Sequence, residues 1–104
     1  MFFFRKIPSV STAEFVQILT EKPIVLDVRE PFEFTEGHIP GAKNATLGTI
    51  STYKGIVDEK IYVICQSGIR SKSATDILIS KGYNAINVKG GMMNWKGTIK
   101  RGNK

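Results

Sequence analysis

Ile61-Tyr62-Val63-Ile64-Cys65-Gln66-Ser67-Gly68-Ile69-Arg70-Ser71 is the stretch that decides how this chain folds. Its first four residues are an unbroken run of β-branched and aromatic side chains. Such a run marks a strand covered on both faces, as in a parallel sheet. Beyond Arg70, the apolar residues Ala74, Ile77 and Leu78 recur at helical spacing, and Gly82 supplies a C-terminal stop. Strand, short polar turn and helix in that order are the front half of a β-α-β unit.

The same grammar extends outward in both directions. Ile24-Val25-Leu26 and Ala85-Ile86-Asn87-Val88 read as further strands, and residues 7–10 as a short edge strand. Ser11-Thr12-Ala13-Glu14 has capping-box spacing and opens a helix through Phe15, Ile18 and Leu19 to about Thr20. Glu30-Pro31-Phe32-Glu33-Phe34 starts a short helix with proline in its first turn. Residues 47–53 are expected to be helical, and Gly90-Gly91 to open a last short helix containing Trp95. Strands alternating with helices predict an α/β fold, with a mostly parallel central sheet and helices on both faces.

With 104 residues, the chain suits one domain. There is no repeat or linker, so residues 7–97 are expected to form that domain, between basic ends at 1–6 and 98–104. The 15 Lys plus Arg exceed the 9 Asp plus Glu. The excess sits in Arg5, Lys6, Lys96, Lys100, Arg101 and Lys104, leaving the body balanced. A phosphate-tracking protein clusters its bases on the fold itself, so nucleic acid is not an expected partner. Met1-Phe2-Phe3-Phe4 precedes its positive charges, the reverse of a secretory signal, and reads as a sticky end. No apolar run is long enough to cross a bilayer, and a single cysteine excludes a disulfide framework. A cytoplasmic location is expected.

Two polar clusters fall at strand ends, where open α/β sheets bind ligands: Asp27-Val28-Arg29 and residues 65–70. In the second, a small polar residue and a glycine allow the chain to turn several amide N–H groups inward before a helix begins. Such a concave run is an anion site. An ordinary thiol is only about 3% ionised at pH 7, and full activation needs about 2.7 kcal/mol. A helix terminus, direct N–H bonds and the nearby Arg70 and Lys72 are of the right size to supply it. No acid lies between Ile61 and Thr75 to oppose that field. Strand position alone would equally suit a small buried hydrophobe; the turn that follows favours a reactive thiolate in an anion cradle.

Cys65-Gln66-Ser67-Gly68-Ile69-Arg70-Ser71 resembles the C-x-x-G-x-R-S active loop of the rhodanese-family sulfurtransferases. Three more blocks agree in order. Asp27-Val28-Arg29 resembles the family's D-x-R strand end, Gly37-His38-Ile39-Pro40-Gly41-Ala42-Lys43-Asn44 its G-H-I-x-G-A-x-N stretch, and Gly90-Gly91 with Trp95 its closing G-G-x-x-x-W. The resemblance covers residues 9–97. It implies that Cys65 takes a sulfane sulfur from a small anionic donor such as thiosulfate and carries it as a persulfide. An external thiol or cyanide would then accept the sulfur, without metal or organic cofactor. Gln66, Ser67, Gly68, Ile69, Arg70 and Ser71 would bind the substrate, with Arg70 orienting the loop and helping to hold the anionic donor. Asp27 and Arg29 would support that loop from behind.

Two rivals remain. A non-catalytic interaction module on the same fold is one, although such modules often lack the cysteine. A cysteine phosphatase or arsenate reductase is the other, but that chemistry uses C-x5-R, and only four residues separate Cys65 from Arg70 here. Gln66 stands where some family members carry a cation, which weakens thiosulfate as the physiological donor. His38 reads as structural, Met92, Met93 and Trp95 as packing residues, and Glu33 and Glu36 as solvated charges.

Overall fold

A computed structural model of the chain describes residues 6–103. The apolar runs become strands β1 (Ser9–Ser11), β2 (Ile24–Asp27), β3 (Lys43–Asn44), β4 (Lys60–Ile64) and β5 (Asn84–Lys89). They form one sheet in the order β1-β5-β4-β2-β3, with every pairing parallel. The edge strand lies slightly later than 7–10 because Ser9 is in register with Asn87, while the Pro8 carbonyl accepts from the Asn87 amide at 2.8 Å. The short tripeptide Phe2-Phe3-Phe4 lies outside the described residues.

Alternation along the central strands sends side chains to two cores. Leu26, Val28, Ile61, Val63, Cys65 and Ala85 pack with Ala74 and Leu78 of α3 (Ile69–Ser80) and with Ile50. Val25, Tyr62, Ile64 and Val88 pack on the opposite face with Phe15 of α1 (Thr12–Ile18) and Phe34 of α2 (Pro31–Glu36). Helices therefore cover both faces, as the continuous apolar runs required.

Helix α1 forms the full capping box, Ser11 Oγ accepting from the Glu14 amide and the Glu14 carboxylate from the Ser11 amide. It tightens into a 3-10 turn at Leu19–Glu21 rather than continuing as α-helix. Residues Leu47–Thr52 are 3-10 rather than α-helical. Thr49 and Thr52 hydroxyls there donate to carbonyls three residues back, the local competition that makes threonine a poor helix former. The final helix is likewise a single 3-10 turn, Met92–Asn94, and Trp95 leaves it in extended conformation. His38 and Lys100 exchange backbone hydrogen bonds at 2.9 and 2.8 Å, which ties the C-terminal segment to the end of α2.

Candidate active site

Strands β2 and β4 are adjacent and parallel, with Asp27 in register with Ile64. Their carboxyl ends therefore coincide, and the two polar clusters of the sequence become one site. Cys65 continues the α3-facing side of β4 and is fully buried. Gly68 takes φ of 100° and lets α3 begin at once at Ile69.

The loop turns its carbonyls outward and its amides inward. Cys65 O accepts from the Met92 amide at 2.8 Å and Gln66 O from the Met93 amide at 3.0 Å. On the inner side, the Gly68 amide donates to Cys65 Sγ at 3.0 Å. The glycine pair explains how the outer clamp approaches so closely. A Cβ on Gly91 would stand 2.4 Å from Cys65 O and 2.6 Å from Gln66 O.

Burial alone would push the Cys65 thiol up. The Ser71 hydroxyl and amide, with the Gly68 and Ser67 amides, outweigh that penalty and hold its pKa below the ordinary value. Ser71 Oγ is itself fully buried with no hydrogen-bond partner of standard geometry, so its proton is left for a charged sulfur. The sequence placed Ser71 among the loop residues, and the structure puts its hydroxyl and amide beside the Cys65 thiol.

Arg70 departs from its expected part. Its guanidinium makes a two-pronged ion pair with Glu33 of α2, Nη1 to Oε1 at 2.7 Å and Nη2 to Oε2 at 2.9 Å. Glu33 is thus not a solvated charge; hydrogen bonding to Arg70 is the chief reason its pKa falls to about 2. An acid does oppose the loop's field, brought in from an element 37 residues away, where sequence inspection of residues 61–75 could not find it. The pair ties α3 to α2.

Asp27 and Arg29 pair with one another at the end of β2. Arg29 Nε and Nη2 donate to Asp27 Oδ1 and Oδ2 at 2.9 and 2.8 Å, with both residues buried. Arg29 Nη2 also reaches Gly37 O at 2.7 Å, and Nη1 reaches Gln66 Oε1 at 3.4 Å. Asn44 Nδ2 donates to the Asp27 and Arg29 carbonyls. His38 is buried, stacks on Phe34 at 3.7 Å and donates from Nδ1 to Phe34 O. Trp95 packs near Phe15 rather than beside the loop. Among the described residues, no three His, Cys, Asp or Glu side chains gather to hold a metal, and no helix is long and apolar enough to cross a membrane.

The family model of the rhodanese-like domain matches residues 11–98, the span that contains the whole of this loop and its supports. The chain belongs to the rhodanese family. Two Bacillus subtilis proteins are similar to this chain. YqhL is 42% identical over 82 residues, covering 76% of this chain and 65% of its own length, so the chain spans just under two-thirds of that relative. YtwF, named as a candidate sulfurtransferase, is 38% identical over 99 residues, covering 91% of this chain and 96% of its own. Among solved structures, the human single-domain sulfurtransferase TSTD1 superposes with a TM-score of 0.81 at 26% identity, covering 89% of this chain and all of that one.

Proposed function

We propose that this protein is a sulfurtransferase that moves sulfane sulfur from a small anionic donor such as thiosulfate to a thiophilic acceptor through a Cys65 persulfide. The single observation that carries the reading is the sulfur cradle. Sγ is bonded by the Gly68 amide, and the Ser67 and Ser71 amides and the Ser71 hydroxyl favour its ionised form. The Cys65 thiolate attacks the outer sulfur of thiosulfate, whose S–S bond breaks with its electron pair leaving on sulfite. The amides then stabilise a persulfide anion at the same place, as preorganised donors do for other developing charges. An acceptor nucleophile attacks the outer sulfur, the new S–S bond breaks, and the Cys65 thiolate returns. This is two-step covalent catalysis.

Phosphoryl chemistry is disfavoured by the same geometry. A phosphatase needs its loop arginine open to phosphoryl oxygens, whereas both terminal nitrogens of Arg70 are held by Glu33. Sulfur transfer from a preformed thiolate needs no general acid and none of that guanidinium.

Mass spectrometry tests the reading. Thiosulfate or an inorganic polysulfide is expected to make the protein heavier by one sulfur atom at Cys65, and cyanide to remove it with release of thiocyanate. Cys65→Ser is expected to take up no sulfur and to keep its fold. A wild-type protein left unmodified by both donors would favour the interaction-module reading instead.

A further inference from the structure

The family resemblance gave the anionic end of the donor to Arg70, yet Glu33 closes on both terminal nitrogens of that guanidinium, at 2.7 and 2.9 Å. A second guanidinium stands beside the loop. Strands β2 and β4 run parallel with Asp27 opposite Ile64, so two residues further on Arg29 comes level with Gln66, the neighbour of the nucleophile. Glu33 feels the charge of Arg29, and Arg70 that of Cys65, so the four groups surround one loop.

A guanidinium carries five N–H donors. Three of those on Arg29 are well placed: Nε on Asp27 Oδ1 at 2.9 Å, and Nη2 on Asp27 Oδ2 at 2.8 Å and on Gly37 O at 2.7 Å. The other two sit on Nη1, whose one hydrogen-bond contact among the described residues is Gln66 Oε1 at 3.4 Å. Guanidinium bonds to anionic oxygens run to about 2.7–2.9 Å, so a neutral amide oxygen at that distance is a weak partner. The Asp27 pair is buried, whereas the Gln66 contact is only partly so and Gln66 itself is exposed. Asp27 already balances the charge of Arg29, so Nη1 offers two aimed N–H groups rather than net charge. The oxygens of a sulfonate fit them; a bare sulfur chain has none to give.

We propose that Arg29 Nη1 holds the sulfonate oxygens of the sulfur donor, and that Gln66 Oε1 occupies their place until the donor displaces it. The inference rests on the persulfide reading above and moves to β2 the contact expected of Arg70. The Cys65 thiolate attacks the outer sulfur and an Sγ–S bond forms. The donor's own S–S bond breaks, with its electron pair leaving on sulfite. Nη1 keeps the same oxygens throughout, so it holds the donor and then the leaving sulfite. The donor class this selects has oxygens on the leaving sulfur, as in thiosulfate and organic thiosulfonates.

The test follows by mass spectrometry the initial rate at which Cys65 gains one sulfur, from subsaturating thiosulfate and from inorganic tetrasulfide, near pH 8. Both donors are dianions there, so general charge repulsion acts on both, but only thiosulfate has oxygens. Gln66 is exposed, so its substitution spares the fold. Gln66→Met keeps the side chain's length and removes the competing oxygen. The ratio of thiosulfate to tetrasulfide loading is expected to rise about twofold to fivefold, the size of one weak hydrogen bond. Gln66→Glu keeps the shape and makes the Nη1 contact charge-assisted, and the ratio is expected to fall about tenfold. Either variant keeping the wild-type ratio, whether both rates change alike or neither does, would overturn the part given to Arg29 and leave the persulfide standing. A wild-type protein loaded by neither donor would overturn the persulfide reading, and this inference with it.

Discussion

Arg70 and Glu33 join the first turns of two helices that lie 37 residues apart, closing both carboxylate oxygens on both terminal guanidinium nitrogens at 2.7 and 2.9 Å. The pair has two consequences beside the thiol. It fixes the loop between α2 and α3, and it moderates the positive charge that Arg70 brings toward Cys65, since the two groups interact.

The first prediction concerns acid. Glu33 titrates in the folded chain at about 2, below its ordinary value. A depressed carboxyl stabilises the fold above its ordinary pKa of about 4.3 and loses that contribution as pH falls through the folded value. Because Arg70 is over a third exposed, screening leaves at most about 1 kcal/mol. Thermal melts should therefore show Glu33→Gln less stable than wild type at pH 6 and equal to it near pH 2. The same variant exposes Cys65 to an unmoderated Arg70, so its alkylation midpoint should move down, and that of Arg70→Gln up. Parallel melting curves at both pH values would remove the pair from the stability account.

The second prediction separates acidity from stability. Ser71 Oγ is buried beside the sulfur without a conventional partner. Deleting a buried hydroxyl that satisfies nothing else costs the fold little. Ser71→Ala should keep its melting temperature within a few degrees while the midpoint for iodoacetamide alkylation of Cys65 rises toward that of a free thiol. Sulfur loading from thiosulfate should slow most at low pH. An unchanged midpoint would take the hydroxyl out of the cradle.

The cradle was legible because its parts are local. Cys65, Gly68 and Ser71 lie within seven consecutive residues that run from the end of β4 into the first turn of α3, and residue types alone report the backbone bend they make. The partners of Arg70 were not legible for the opposite reason. Glu33 reaches it only after β2 and β4 align and α2 docks on the sheet, a relation that leaves no periodicity in sequence. The 3-10 stretches at 47–52 and 92–94 were also misjudged, since short helical patterns do not reveal whether side-chain hydroxyls or outside carbonyls claim the backbone groups. Asp27 and Arg29 were half visible: two apart and polar in a buried run, but with Gly37 O and Gln66 as unforeseen partners.

A third prediction follows from that buried pair. Asp27 and Arg29 are 0% and 4% exposed. Removing one partner strands the other charge in low dielectric, at a cost of about 3–5 kcal/mol. Asp27→Asn should therefore lower stability far more than Glu33→Gln. Arg29→Lys should also be poorly tolerated, because an ammonium cannot reproduce the two-pronged contact and the reach to Gly37 O together. Denaturant midpoints of the three variants give the order, and an Asp27→Asn loss below 1 kcal/mol would show the pair to be dispensable.

The last prediction uses two glycines that share a backbone sign but not surroundings. Gly91 and Gly41 both have positive φ, 59° and 88°, where alanine is strained by roughly 1–3 kcal/mol. A Cβ at Gly41 meets nothing within 4 Å, whereas at Gly91 it meets the carbonyl oxygens of Cys65 and Gln66. Those carbonyls are held outward by Met92 and Met93, and their direction is what leaves the loop's amides facing the sulfur. Gly41→Ala should thus cost stability alone and leave the Cys65 alkylation midpoint where it was. Gly91→Ala should add an overpacking cost of about 1–3 kcal/mol and also raise that midpoint, because the carbonyls must move and the cradle with them. If Gly91→Ala lost stability without disturbing the thiol, the outward clamp would be a packing contact and the amides would owe their aim to α3 alone.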